Sequence, residues 1–248
     1  MRKILFIFII AAFILCSCSE KKEIDQPVFN EESRLCDTKN YINVDEIIFL
    51  GESTTYHLKA RGVLSGGTET TQVWAPRSGT LMLDGTTSDC RIIYPDTNEE
   101  ISLTTALQQK KPKYIILTFG LNGATNFIKR GEEYFKHCYQ KLTDKIKDSS
   151  QNTCIIINSC FPIAKNMNMQ SYTVDTKTLN SYIDQINAWA RAFANENHFL
   201  YVDTSNVLKD ESGFLDSAFQ MSDGYHLNTK AYQKILEIFK KIEINGEQ

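Results

Sequence analysis

Short apolar runs with no polar interruption constrain this 248-residue chain more than any other feature. Ile47-Ile48-Phe49-Leu50 is one, Tyr114-Ile115-Ile116-Leu117 another, and Cys154-Ile155-Ile156-Ile157 a third. A strand with one wet face would alternate, so these are expected to be covered on both faces, as in a parallel sheet between helical layers. Residues 72–75, stopped by Pro76, and residues 199–203 read as two further strands. Helical stripes separate them. Tyr134, Phe135, Cys138, Tyr139, Leu142 and Ile146 share one face, as do Leu179, Ile183, Ile186, Trp189, Ala190 and Phe193. A first helix is expected over 53–64 and a last one over 229–242, with Tyr232, Ile235, Leu236 and Phe239 inward. Alternating strand and helix predict a three-layer α/β/α sandwich with a mostly parallel five-stranded sheet. Residues 81–104 break the alternation. Arg91-Ile92-Ile93-Tyr94 and Glu100-Ile101-Ser102-Leu103, joined by Pro95-Asp96-Thr97-Asn98, read as a small inserted hairpin, a lid or an edge ornament.

At the amino terminus, Arg2 and Lys3 precede twelve apolar residues, 4–15. That is a charged n-region and an h-region too short to span a bilayer as a helix. Leu15-Cys16-Ser17-Cys18 resembles a bacterial lipobox, with Cys18 placed to receive lipid; Cys16 would put Leu15 where a small residue belongs. An ordinary cleaved signal peptide or an uncleaved anchor would begin in the same way. Charged and polar residues without a period follow, as in a flexible spacer. The expected organisation is a lipoprotein signal peptide over 1–17, a lipidated Cys18 with a polar tether over 18–44, and one folded domain over 45–248. Such a protein is exported and held at the membrane of the cell envelope.

About 200 residues beyond the tether suffice for one domain with a substantial core. Hydrophobic content of 42% and charged content of 23% are those of a globular protein. The formal net charge of −3 grows more negative when Arg2 and Lys3 are removed. Without a basic stripe, nucleic acid is not expected as a partner. Cys36, Cys90, Cys138, Cys154 and Cys160 follow Cys18 with no Cys-x-x-Cys spacing, so neither a zinc site nor a full disulfide framework is signalled. Cys154 and Cys160 flank a strand and read as small core residues, while one disulfide stays open to an exported chain. His137 and His198 have no partner at ligand spacing, and no metal or other cofactor is expected.

The candidate chemistry begins after residues 47–50. Gly51 permits a sharp turn, and Ser53 falls where the next helix begins. A hydroxyl there sits at the carboxyl edge of a sheet, where open α/β folds bind ligands, beside helix N–H groups that favour negative charge. The position suits a nucleophile whose attack creates an oxyanion, and it equally suits a helix N-cap. Asp223 and His226, three apart before the last helix, supply the carboxylate and imidazole that a serine nucleophile needs. Alone, they also read as a capping aspartate and a solvent histidine. His57, one turn after Ser53 on the same helix face, is either within reach of a substrate or a plain helix histidine. Asp203 is expected to cap the loop after its strand, and Trp74 and Trp189 to lie in the core. No Gly-x-Ser-x-Gly occurs, which argues against an α/β-hydrolase nucleophile elbow.

Taken in order, four stretches resemble the blocks of the SGNH (GDSL-like) hydrolases. Gly51-Glu52-Ser53 is similar to the family's Gly-Asp-Ser, with Glu for Asp. Gly79 is the best match to its second-block glycine. Gly120-Leu121-Asn122-Gly123 resembles its Gly-x-Asn-Asp, with Gly123 in place of the aspartate, and Asp223-Gly224-Tyr225-His226 its Asp-x-x-His ending. The resemblance covers residues 45–243 and implies the flavodoxin-like fold of that family. It also implies Ser53 as nucleophile, His226 as general base and then acid, and Asp223 as its orienter. The N–H groups of Ser53 and Gly79 and the Asn122 side-chain amide would then form the oxyanion hole.

The expected activity is that of a surface-anchored serine esterase removing O-acyl groups, O-acetyl first, from glycans or another small ester. Two other enzymatic readings use the same triad: a lipase or lysophospholipase, and an acyltransferase. A non-catalytic reading is a glycan- or solute-binding lipoprotein. A lipase should carry an exposed apolar rim around its site, which the sequence cannot display.

Overall fold

Five strands pair side by side, all parallel, and everything else is arranged around them. The computed structural model describes residues 40–169 and 173–244. Its elements are β1 (Asn40–Tyr41), β2 (Ile47–Gly51), α1 (Ser53–Ala60), β3 (Val73–Trp74), β4 (Arg91–Tyr94), β5 (Glu99–Ser102), α2 (Leu103–Lys110), β6 (Tyr114–Thr118), α3 (Ala124–Arg130), α4 (Glu132–Ser149), β7 (Cys154–Asn158), α5 (Thr176–Glu196), β8 (Leu200–Val202), α6 (Thr229–Phe239) and β9 (Glu243–Ile244). The central sheet runs β3-β2-β6-β7-β8. The chain therefore starts inside the sheet, steps to one edge, and returns past its starting strand. That reversal is the topological switch point, where open α/β sheets leave a crevice at their carboxyl ends.

Every residue of β2, β6 and β7 is buried, which is why these strands lack polar alternation. Ile48, Leu50, Ile115, Leu117, Ile155 and Ile157 face one layer with α2, α3, α4 and α5. Ile47, Phe49, Ile116, Ile156, Leu200 and Val202 face the other, with α1 and α6. The sandwich is unequal, with most of the helical mass on one side. Phe135 joins Phe127, Tyr139 and Trp189 within ring-contact distance there, and truncating such a fully buried aromatic costs about 3–5 kcal/mol. Trp74 and Trp189 lie in this core, as expected.

The expected fold and its five strands are present, and the differences are local. The first helix ends at Ala60, before the glycine-rich stretch that follows. Residues 81–104 do contain a hairpin, β4 with β5, but Leu103 already opens α2, the crossover helix leading to β6. Ser102 caps that helix by accepting the N–H of Thr105 at 3.0 Å, a start signal hidden by the apolar Ile101 and Leu103 around it. The hairpin is tied in by the Ile93 N–H donating to Ala75 O at 2.8 Å, with Ile92 and Tyr94 buried. Residues 40–44 belong to the fold and not to the tether: β1 pairs antiparallel with β9, and Ile42 is buried. Cys154 is disulfide-bonded, so it is more than a small core residue, while Cys90, Cys138 and Cys160 are free. Cys18 and the expected signal peptide lie outside the described residues.

Candidate active site

β2 delivers its last residues to the crevice under tight steric control. A Cβ on Gly51 would lie 2.3 Å from Thr55 Oγ1 and 2.5 Å from the Thr118 carbonyl oxygen, so only glycine fits there. Ser53 is the first helical residue of α1 and not its N-cap; Glu52 holds that place with extended backbone. The serine hydroxyl is thus free of capping duty. It lies 3.0 Å from His226 Nε2. The N–H of Ser53, at the first position of the helix, has no carbonyl one turn earlier in the helix to donate to.

His226 comes from the loop before α6. Asp223 Oδ1 accepts the N–H of Tyr225 at 2.8 Å and of His226 at 2.9 Å, an Asx-type turn that folds the loop back on itself. Its other oxygen, Oδ2, lies 2.7 Å from His226 Nδ1. One carboxylate therefore shapes the turn and aligns the ring. With Nδ1–H donated to that carboxylate, Nε2 is left as the acceptor facing Ser53. Partial burial opposes ionisation of Asp223, but the N–H and ring hydrogen bonds of His226 and the N–H of Tyr225 outweigh it and hold the carboxyl below its usual range. Gly224 packs against Met167 and its carbonyl accepts the Ala164 N–H at 2.8 Å, fixing the loop from outside.

Asn122 follows β6, which is the parallel neighbour of β2 with Gly51 opposite Thr118. Glu52 clamps its loop: Oε1 accepts the N–H of Gly120 and Oε2 that of Asn122, both at 2.9 Å. The Asn122 amide then points its Nδ2 to Thr80 Oγ1 at 3.1 Å, while Oδ1 accepts the Tyr225 hydroxyl at 2.6 Å. Gly79 lies against the Tyr56 ring of α1, and its N–H donates to Pro76 O at 2.9 Å, closing a turn. Three loops, after β2, β3 and β6, thus meet the 223–226 turn at one end of the sheet.

The GDSL-like lipase/acylhydrolase family model matches residues 49–234, three quarters of the chain. The chain belongs to that family. As a GDSL-like acylhydrolase it is a serine ester hydrolase. Among curated proteins none matches its sequence. Among solved structures, a Streptococcus pneumonia protein described as a platelet activating factor has a similar fold at 15% identity and TM-score 0.51, over 84% of this chain and 86% of its own. A GDSL-like lipase from Bacteroides thetaiotaomicron is similar at 14% identity and TM-score 0.51, over 82% of this chain and 90% of its own.

This acylhydrolase departs from its family's pattern at two places, and the structure gives each a reason. Glu52 is longer than aspartate and reaches the loop of β6, where it is fully buried. Burial pushes its carboxyl up to about 8 against the N–H groups of Gly120, Asn122 and Leu121. Gly123 stands in left-handed backbone (φ 89°) as the N-cap of α3, where a side chain would be strained.

Of the other candidates, His57 is at the site and Asp203 is not. The His57 ring is stacked on that of His226, centroids 4.2 Å apart and 30° between planes. Asp203 follows β8, the far edge of the sheet, and there accepts the N–H groups of Ser205 and Asn206 and pairs with Arg191 at 3.2 Å. It caps its loop. Tyr225, Thr80 and the clamp role of Glu52 escaped sequence reasoning. Only the place of Tyr225 inside the Asp-x-x-His stretch signalled it.

Proposed function

We propose that this ester hydrolase is an exported, lipid-anchored enzyme that removes short O-acyl groups, O-acetyl first, from glycans by a Ser53–His226–Asp223 acyl-enzyme route. One observation carries the reading: the hydrogen-bonded chain from Asp223 Oδ2 through Nδ1 and Nε2 of His226 to Ser53 Oγ, at 2.7 and 3.0 Å. Ser53 Oγ attacks the ester carbonyl as its proton passes to His226 Nε2, and Asp223 stabilises the imidazolium formed. The oxyanion develops between the Ser53 N–H and Asn122 Nδ2. Asn122 Nδ2, which donates to Thr80 Oγ1 and Leu81 O, and the Gly79 N–H, which donates to Pro76 O, would each exchange those partners for the oxyanion. Collapse breaks the ester C–O bond, and His226 returns the proton to the departing alcohol. Water, deprotonated by the same nitrogen, then releases the acid and restores Ser53. The export signal around Cys18 supports a substrate at the cell envelope, and the polar Asn122–Thr80 pair at the same end of the sheet supports a hydroxylated one.

One observation favours a longer acyl chain. Tyr56 and Met82, 37% and 53% exposed, flank Gly79 and Gly123 beside the site, an apolar rim of the kind a lipase needs. Rates on nitrophenyl acetate, butyrate, octanoate and palmitate with purified chain beginning after residue 18 decide between the readings. A maximum at acetate supports the glycan deacetylase; a maximum at octanoate or beyond overturns it for the lipase. Undiminished hydrolysis by Ser53→Ala would remove the triad from either.

A further inference from the structure

The two ring nitrogens of His226 are tethered at Asp223 and Ser53, yet hydrogen bonds lying in a ring's plane do little to set its tilt. Its faces decide that. Tyr225 meets the imidazole edge-on, with centroids 5.0 Å apart. His57 covers a face, near-parallel at 4.2 Å, and it can do so because residue i+4 of a helix stands over the same side as residue i, here Ser53. We propose that His57 is a positioning residue, an uncharged aromatic plate that holds the His226 ring in the plane joining Asp223 to Ser53. The proposal rests on the triad reading above.

The plate works only while it is neutral, because His226 must itself become charged in each half-reaction. Geometry keeps it so. His57 Nδ1 is buried without a hydrogen-bond partner among the described residues. A lone pair can be left there at modest cost, whereas protonation would bury an unpaired N–H. The charged groups around it act mostly in the same direction. After burial, the charges of His226 and of Arg61, one turn on along α1, oppose protonation; Asp223, across the stack, favours it; the Tyr56 ring adjoins on the same helix. Together they pull His57 down to about 4.

The chain has four histidines, His57, His137, His198 and His226, so imidazole C–H resonances can be assigned by single substitution. In wild type the His57 resonances should be displaced upfield by the stacked ring and stay neutral to about pH 5. In His226→Ala the displacement should vanish and the His57 midpoint should rise toward its ordinary value. An ordinary His57 midpoint in wild type, unmoved by His226→Ala, overturns the proposal whether or not the protein hydrolyses esters. Kinetics provides the second arm. His57→Ala should lower kcat by about tenfold or more with KM within about twofold, and broaden the His226 resonances; His57→Phe, which keeps the plate, should restore most of the rate. Equal rates and sharp His226 resonances in all three proteins sink the positioning role. A wild type without esterase activity would instead sink the triad reading, leaving the resonances to decide the stack.

Discussion

The hydroxyl of Tyr225 donates to Asn122 Oδ1 at 2.6 Å, joining the loop that carries His226 to the amide proposed as an oxyanion donor. Because an amide rotated by half a turn would present oxygen where the proposed role needs N–H, this bond fixes the amide's orientation, with Nδ2 directed to Thr80 and Leu81. Tyr225→Phe should lower kcat by about tenfold, the worth of one hydrogen bond of about 1.4 kcal/mol, with KM little changed. In an Asn122→Ala background it should cost almost nothing further. Additive losses across that cycle would separate the two residues.

Ser53→Ala and His226→Ala should each reduce kcat by about 10⁴ to 10⁶, and the double variant should be scarcely worse, since the pair acts as one unit. Asn122→Ala removes one oxyanion donor and should cost about 10² to 10³, or roughly 3–4 kcal/mol. Denaturation curves should stay cooperative in all of them. Steady-state rates on the best nitrophenyl ester measure the series.

Glu52 gives stability a pH dependence of a definite sign. Its folded pKa, pushed up to about 8, lies above the unfolded value near 4.5, so the folded state holds the extra proton between them. The contribution is whole below that window and is lost as pH rises through it. Glu52→Gln lacks the titration and turns an NH₂ toward a backbone N–H that needs an acceptor. Urea midpoints at pH 5 and pH 8 should show wild type ahead of the variant by more at pH 5. A gap that widens toward pH 8 contradicts the sign.

His57 contributes the opposite slope. Its folded pKa near 4 lies below the ordinary 6.5, so the unfolded chain binds the extra proton and stability falls as pH drops through that interval. His57→Phe should flatten the acid side of the stability profile and leave the alkaline side intact. Midpoints taken every half unit from pH 4 to 8 read both limbs.

The mature chain is expected to begin at a lipidated Cys18, with Cys16 dispensable. Mass spectrometry of the membrane-extracted protein checks this. An unmodified amino terminus beyond residue 18 is the contrary result.

What this sequence determined by itself was the sheet. Hydrophobic burial is non-directional, and a run such as Ile115-Ile116-Leu117 satisfies it only between two covered faces, so strands and layers followed from pattern alone. Ser53, Asn122, Asp223 and His226 were legible too, because each sits in a short local stretch at a strand end or helix start. Helices α2 and α3 were not, since their few apolar residues merge with the strand and loop signals beside them. Tertiary structure decided the rest: that Glu52 reaches across to Gly120 and Asn122, that the Gly79 N–H is committed to Pro76, that Tyr225 holds Asn122, and that His57 lies on His226. Apart from the Pro76–Gly79 turn, these are directional contacts between residues far apart in sequence, from Glu52 with Gly120 to His57 with His226, set by strand order and loop geometry to a few tenths of an ångström, and no local pattern encodes a partner at that distance.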